Sequence, residues 1–377
     1  MHNIIIFFKL LRKFGVGSFY LRLLSPFIRF DDKLPDYNSA MEMLNSLSLN
    51  PANSCICNKQ EKETSSGFSL DKIVPSYNSE KTIEKCILSV LNQKSSYSFR
   101  LIIIDDGATD SSPSKIDQFA GDPRVCIVHQ ENKGFSGARN TGLQISNAEY
   151  IMFLDSDDTL CPGAIEGLMQ LANSGYAIVE GAFNTVDLNG KVLTSGVHKS
   201  GKINPRHDMT GYFWAKVFKS ELFDGLCLPM DYWYEDSLMA QIIYPLADIR
   251  RYTASGYRKA VYNYTVNPSG ISASGRKSLK CIDSLWITLQ LYKDRCSLDL
   301  NTDQQYFEYI LNMLCLTYIR CEILSNDAKL AMFVIWKDFI EKNFSEFHST
   351  IPCHEILLNA VRNGNFTLYS LACRLIS

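Results

Sequence analysis

Asp155-Ser156-Asp157 is the part of this chain whose residue types and spacing most directly offer chemistry. Carboxylates two residues apart, where a strand frays, can converge on a hard cation, and Mg²⁺ or Mn²⁺ prefers such oxygen ligands. A cation held there would neutralise a diphosphate leaving group. The triplet alone is common, but it directly follows Tyr150-Ile151-Met152-Phe153-Leu154, which reads as a strand buried on both faces. Two more polar clusters have the same setting. Pro75-Ser76-Tyr77-Asn78 follows a short strand at 70–74, and Asp105-Asp106-Gly107-Ala108-Thr109-Asp110 follows the apolar run at 101–104. Turn composition accounts for any one of these clusters. It accounts poorly for carboxylates placed immediately after two buried hydrophobic strands.

The elements that must position these groups follow from periodicity. Residues 70–74, 101–104, 125–128, 150–154 and 177–183 read as strands. Between them, 80–92 carries Ile83, Ile87, Val90 and Leu91 at helical spacing, and 114–120 and 136–145 are also helical. Pro162 opens a further helix at its favoured first position. Strands alternating with helices predict a mostly parallel sheet covered on both sides. In such sheets ligands bind off the carboxyl ends of the strands, where the polar clusters lie. Asp71 and Lys72 interrupt the first strand and predict an edge position or a shifted boundary. Residues 279–296, 303–324, 327–343, 352–362 and 366–376 read as helices. The chain thus divides into a basic apolar segment at 1–30, a linker at 31–67, an α/β domain at 68–275 and a helical region at 276–377.

From Leu70 to Leu188 the order of motifs resembles family 2 glycosyltransferases. The resemblance is carried by Ile73-Val74-Pro75-Ser76-Tyr77-Asn78-Ser79-Glu80, by Ile102 through Asp110, by Gln130-Glu131-Asn132-Lys133-Gly134-Phe135-Ser136-Gly137-Ala138-Arg139-Asn140-Thr141-Gly142 and by Tyr150 through Asp158. It implies the GT-A fold, a Rossmann-like nucleotide-diphospho-sugar transferase domain, and an inverting mechanism. It also implies roles at matching positions. Pro75, Tyr77 and Asp106 would hold the base of the donor, uracil first, with Asn78 and Asp105 also in the nucleotide-sugar site. Lys133 and Arg139 would meet phosphate or sugar oxygens. Asp155 and Ser156 would approach the ribose or donor sugar, and Asp157 would bind Mn²⁺ or Mg²⁺. The family's downstream acidic pair matches Glu235-Asp236, with Asp236 the first choice as general base and Glu235 the second. Such a base contributes about 10²–10⁴-fold. Lys216 offers a cation to the donor phosphates or a plain surface lysine. The flanking aromatics Tyr212, Phe213, Trp214, Tyr232, Trp233 and Tyr234 suit either sugar rings or interdomain packing. Ala108 and Gly137 stand where the family commonly has Ser and Ala, and neither removes a ligand.

Composition narrows the remaining classes. Hydrophobic residues make up 46% and charged residues 21%, with a net charge of −2, which fits a folded protein and gives no footprint for nucleic acid. Twelve scattered cysteines with no CxxC pair read as reduced thiols of a cytoplasmic protein. No apolar run reaches a membrane span of about 18 residues. Lys9, Arg12, Lys13, Arg22 and Arg29 with no acid before Asp31, among Ile4 through Phe8 and Leu21 through Leu24, fit a helix lying on the cytoplasmic face of a membrane or one packed on the main domain. A dinucleotide oxidoreductase would need GxGxxG where Pro75-Ser76-Tyr77-Asn78 stands. A processive synthase would need Gln-x-x-Arg-Trp and membrane spans. The expectation is transfer of a sugar from a nucleotide donor to a glycan or lipid-linked acceptor. The alternative is a catalytically silent scaffold of a glycan-assembly complex, against which Asp155, Asp157 and Asp236 argue.

Overall fold

The computed structural model describes residues 17–28, 33–58, 67–267 and 278–376. Most of the basic segment, part of the linker and the expected boundary at 275/276 lie outside the described residues. The α/β part begins with β1 (Leu70–Ser76), α3 (Ile83–Leu91), β2 (Phe99–Asp105), α4 (Ser112–Asp117), β3 (Val125–His129), α5 (Gly134–Ile145) and β4 (Tyr150–Phe153). It is preceded by α1 (Gly17–Leu24) and α2 (Tyr37–Leu47). Then come β5 (Thr159–Leu160), α6 (Ala164–Ala172), β6 (Ile178–Val186), β7 (Val192–Ser195), β8 (Gly201–Ile203), α7 (Pro205–Asp208), β9 (Lys216–Lys219), α8 (Tyr244–Ile249) and β10 (Ala254–Thr265). Helices α9 (Asp283–Ser297), α10 (Gln304–Arg320), α11 (Asn326–Asn343), α12 (Pro352–Arg362) and α13 (Phe366–Ile376) complete the described chain close to the expected limits.

The sheet runs β3-β2-β1-β4-β9-β6-β10-β5, with β7 beside β6 and β8 beside β10. Strands β1 to β4 are parallel to one another, whereas β9 inserts antiparallel between β4 and β6. The sheet is therefore mixed. The short antiparallel strands carry little apolar signal of their own and depend on their neighbours.

β1 corrects the edge-strand expectation, because it lies between β2 and β4. Asp71 faces Arg100 across the β1–β2 register and accepts from its Nε at 2.9 Å and Nη2 at 2.8 Å. It also accepts the amides of Asn147 and Ala148. Four donors satisfy a carboxylate that has no exposure, so its charge is tolerated in an inner strand. Lys72 is fully buried as well, with Nζ 3.0 Å from Met152 Sδ. Burial pulls its pKa down to about 7.

Alternation along the strands splits the core. Leu70, Val74, Leu101, Ile103, Met152, Leu154, Val179 and Val217 pack with α3 and α6. On the other face Ile73, Ile151, Phe153, Ile178 and Phe218 join one cluster with Leu238, Ile242, Trp286, Phe307, Ile310 and Trp336. The sheet and the C-terminal helices thus share a core. All twelve cysteines are free, and seven of them are buried, where a thiol packs as a small hydrophobe. Among the described residues no helix is long and apolar enough to cross a membrane.

Candidate active site

Three strand ends and one distant loop meet at a single edge of the sheet. At the end of β1, Asn78 adopts φ +47°, a left-handed conformation that Asn tolerates better than most residues. Its Oδ1 accepts from the Thr109 amide at 2.8 Å and so ties the first strand-end loop to the second. Tyr77 is half exposed beside it, and Pro75 is partly buried.

The second loop is held by its own carboxylates. Asp105 accepts from the Ala108 amide at 3.2 Å and pairs with His129 Nδ1 at 2.8 Å, while His129 Nε2 reaches Asp117 at 3.1 Å. The hydrogen bond to Asp105 leads in holding His129 above its usual pKa. Asp105 is 4% exposed, so it shapes the loop from within. Asp106 Oδ1 accepts from Gln130 Nε2 at 2.6 Å and from the Lys133 amide at 2.9 Å. These bonds join the loop to the start of α5, where the Lys133 side chain is exposed. Gly107 is required here: it sits at φ +72°, and a Cβ would meet the Asn132 amide nitrogen at 3.0 Å.

Arg139 of α5 is the hub. It is buried, and its Nη2 donates to Asp155 at 2.6 Å while Nη1 donates to Glu235 at 2.8 Å. Its Nε has no hydrogen-bond partner. Burial opposes its charge, but Asp155 and Glu235 outweigh that and raise its pKa. One guanidinium thus joins the end of β4 to the acidic pair 80 residues or more away in sequence.

Beside Asp155, Ser156 is partly buried, and burial followed by the Asp155 charge pushes Asp157 up to about 6. Asp158 is committed to structure: it accepts from Tyr262 Oη at 2.7 Å and from the Thr265 amide at 2.6 Å. Burial pushes Glu235 and Asp236 up as well. Arg139 opposes this at Glu235, and Arg320 with Arg139 opposes it at Asp236. Two neighbouring buried acids of raised pKa make this loop a candidate acid–base site by the usual electrostatic logic.

The structure overturns the expectation that Lys216 faces donor phosphates. It has no exposure and pairs with Glu180 at 2.7 Å. It also donates to Thr210 Oγ1 at 2.8 Å and to the Tyr212 carbonyl at 2.7 Å. Glu180 in turn accepts from His198 and Thr210. The aromatic cluster divides. Phe213 and Tyr232 are buried in the core. Tyr212 stacks on Trp214 with centroids 4.5 Å apart, and Trp214 stacks on Tyr262 at 4.8 Å and on Tyr264 at 5.6 Å. Sequence reasoning missed Tyr262 and Arg320. Tyr262 could have been suspected from its place in an alternating aromatic strand; Arg320 has no local signal.

Residues 72–222 match the family described as Glycosyl transferase family 2. A putative glycosyltransferase, EpsH, of Bacillus subtilis is 28% identical over 165 residues, covering 41% of this chain and 47% of that protein. The GalNAc(5)-diNAcBac-PP-undecaprenol beta-1,3-glucosyltransferase of Campylobacter jejuni is 32% identical over 165 residues, covering 41% and 53%. The chain spans about half or less of the length of such curated relatives. Among solved structures, S. aureus TarS 1-349 in complex with UDP-GlcNAc superimposes with a TM-score of 0.57 at 17% identity, covering 80% of this chain and 89% of that one. At that identity the likeness concerns the fold. Together with the motif order and the sheet, these matches show a GT-A fold in the α/β part of this chain, whose residues 72–222 are similar to family 2 glycosyltransferases.

Proposed function

We propose that this protein transfers a sugar, with inversion, from a nucleoside-diphosphate donor to a hydroxyl of a glycan or lipid-linked acceptor. The observation that carries the reading is the pair of hydrogen bonds from Arg139 to Asp155 and Glu235, which ties the donor loops to the acidic pair. Tyr77 and Pro75 flank the base, with Asn78 fixing their loop and Asp106 accepting base N–H groups. Lys133 and Arg139 face phosphate or sugar oxygens, and Asp155 and Ser156 face the donor sugar. Glu235 is occupied by Arg139, which leaves Asp236 to take the proton of the acceptor hydroxyl. That oxygen bonds to the anomeric carbon as the bond to the diphosphate breaks on the opposite side. Asp157 beside Asp155 offers carboxylate oxygens of the kind a divalent cation takes, with no third such side chain gathered round them among the described residues, so that substrate oxygens would complete the shell. Mg²⁺ or Mn²⁺ held by Asp157 beside Asp155 would supply charge neutralisation of the diphosphate. A uracil base is supported by the UDP-GlcNAc bound to TarS. A lipid-linked acceptor is supported by the undecaprenol named for the Campylobacter enzyme. The exposed Phe19, Leu23, Leu24 and Phe27 near Arg22 support contact with an anionic lipid surface.

The test is nucleotide release from a panel of UDP-, GDP- and dTDP-sugars with Mn²⁺ or Mg²⁺, comparing the native protein with Asp157→Ala. Metal-dependent release lost in the variant supports the assignment. Neither release nor metal-linked nucleotide binding would remove it and favour the scaffold.

A further inference from the structure

The loop that carries the acidic pair is strained, and most of its restraints come from outside the α/β domain. Asp231 and Tyr234 both sit at φ +68°, each costing about 1–3 kcal/mol. Lys280 donates to the Asp231 carbonyl at 2.9 Å, and the buried Asp283 at the start of α9 accepts from the Trp233 amide at 2.9 Å and from Lys280 at 3.0 Å. Asn53 donates to the Met230 carbonyl at 3.1 Å and to the Asp231 carboxylate at 3.0 Å. Arg320, the last residue of α10, adds a contact to the residue just before the acids. Its guanidinium lies 4.0 Å from the centroid of the Tyr234 ring, and Nη1 donates to Ser284 Oγ at 2.9 Å. Ser284 is fully buried and also bonded to Thr317, so the guanidinium is aimed by a fixed group. Two helices of the C-terminal region therefore act on the residue that immediately precedes Glu235-Asp236.

We propose that Arg320 is a positioning residue for the general base: held over Tyr234, it fixes the turn that aims Asp236 and supplies a cation that keeps Asp236 ionised beside Glu235. The inference rests on Asp236 being the base. The charged and titratable groups around Asp236 are Glu235 in its own loop, Arg139 of α5, Lys216 of β9, Arg320 of α10, and the phenols of Tyr212, Tyr244 and Tyr309. Arg139 is divided between Asp155 and Glu235, and Lys216 is committed to Glu180. Among the described residues Arg320 is the cation in this set with no carboxylate partner inside 4 Å, and it is the largest influence opposing burial at Asp236.

The test measures nucleotide release against pH for the full chain, using the sugar nucleotide that the wild-type protein cleaves. Without the Arg320 charge the Asp236 pKa rises, so the acid limb of kcat moves to higher pH. Arg320→Gln is expected to move that limb to higher pH and to lower kcat on its acid side, where each unit of displacement costs about tenfold. Donor KM should stay near the wild-type value. Arg320→Lys should keep the limb near its wild-type place. Ser284→Ala, which removes only the bond that aims the guanidinium, should lower kcat in the same direction and serves if Arg320→Gln fails to fold. An unmoved limb in Arg320→Gln, a change confined to donor KM, or an unchanged kcat in Ser284→Ala would overturn the proposal. Absence of release by the wild-type protein would overturn the functional reading and this inference together; release by the wild type with an unmoved variant profile would overturn this inference alone.

Discussion

Lys216→Met should destabilise the protein by about 3 kcal/mol, and the reason lies in Glu180. Glu180 is 1% exposed and receives the Lys216 ammonium, one His198 nitrogen and the Thr210 amide and hydroxyl. Burial alone would raise its pKa, yet these partners, Lys216 foremost, lower it from 4.5 to about 2. At 1.36 kcal/mol per unit this is about 3 kcal/mol of differential stabilisation of the carboxylate. It is an upper value, because burial draws Lys216 downward by more than Glu180 raises it. A depressed carboxylate pKa gives stability that is fully present above about pH 4.5 and lost as pH falls towards 2. Urea unfolding at neutral pH and at pH 3 measures both quantities. Lys216→Met should lower the neutral-pH stability by about 3 kcal/mol and flatten its acid dependence, with a melting temperature lower by about 4 °C. The double variant Glu180→Leu/Lys216→Met should recover much of the loss, since it leaves no buried charge unpaired. A loss below about 1 kcal/mol, the range of exposed pairs, with the acid dependence intact would refute the reasoning.

Three other substitutions probe separate links. Asp71→Ala leaves Arg100 and the amides of Asn147 and Ala148 without their acceptor, and should cost about 3 kcal/mol in urea unfolding. Gly142→Ala places a Cβ 2.3 Å from Ile73 Cγ2; it should cost about 1–3 kcal/mol by separating α5 from β1, and Ile73→Ala in the same chain should cost less than the two single changes summed. Tyr77→Ala should raise donor KM by an amount equivalent to about 1–3 kcal/mol, the range for base stacking, with little change in kcat or melting temperature. An unchanged donor KM would remove Tyr77 from the base contact.

The parts of the fold that were legible in the sequence share one physical property: they are buried by local pattern. β2 and β4 hold the apolar runs 101–104 and 150–153, and each is followed by a polar turn that marks a strand end. The five C-terminal helices show in their apolar spacing. What stayed hidden depends on partners distant in sequence. Asp71 looked like an edge residue because its neutralising Arg100 belongs to the next strand. Lys216 looked available because nothing near it in sequence announces Glu180, 36 residues earlier on an adjacent strand. β5, β7, β8 and β9 have two to four residues each, too few to show a period. Arg320 ends a helix whose pattern reports only its packing, so its meeting with Tyr234 appears in three dimensions alone.

The core beneath the sheet bears on how such a chain can be reshuffled. Phe153 and Phe218 of the sheet belong to the same apolar cluster as Trp286 and Trp336 of the helices. Cutting the chain after β10 would strip that face and expose it to water. A hybrid that joined these strands to foreign helices would have to match the underside of the sheet residue by residue. The five helices are therefore not an exchangeable cassette, and a lineage that alters them must rewrite the lower face of the strands at the same time.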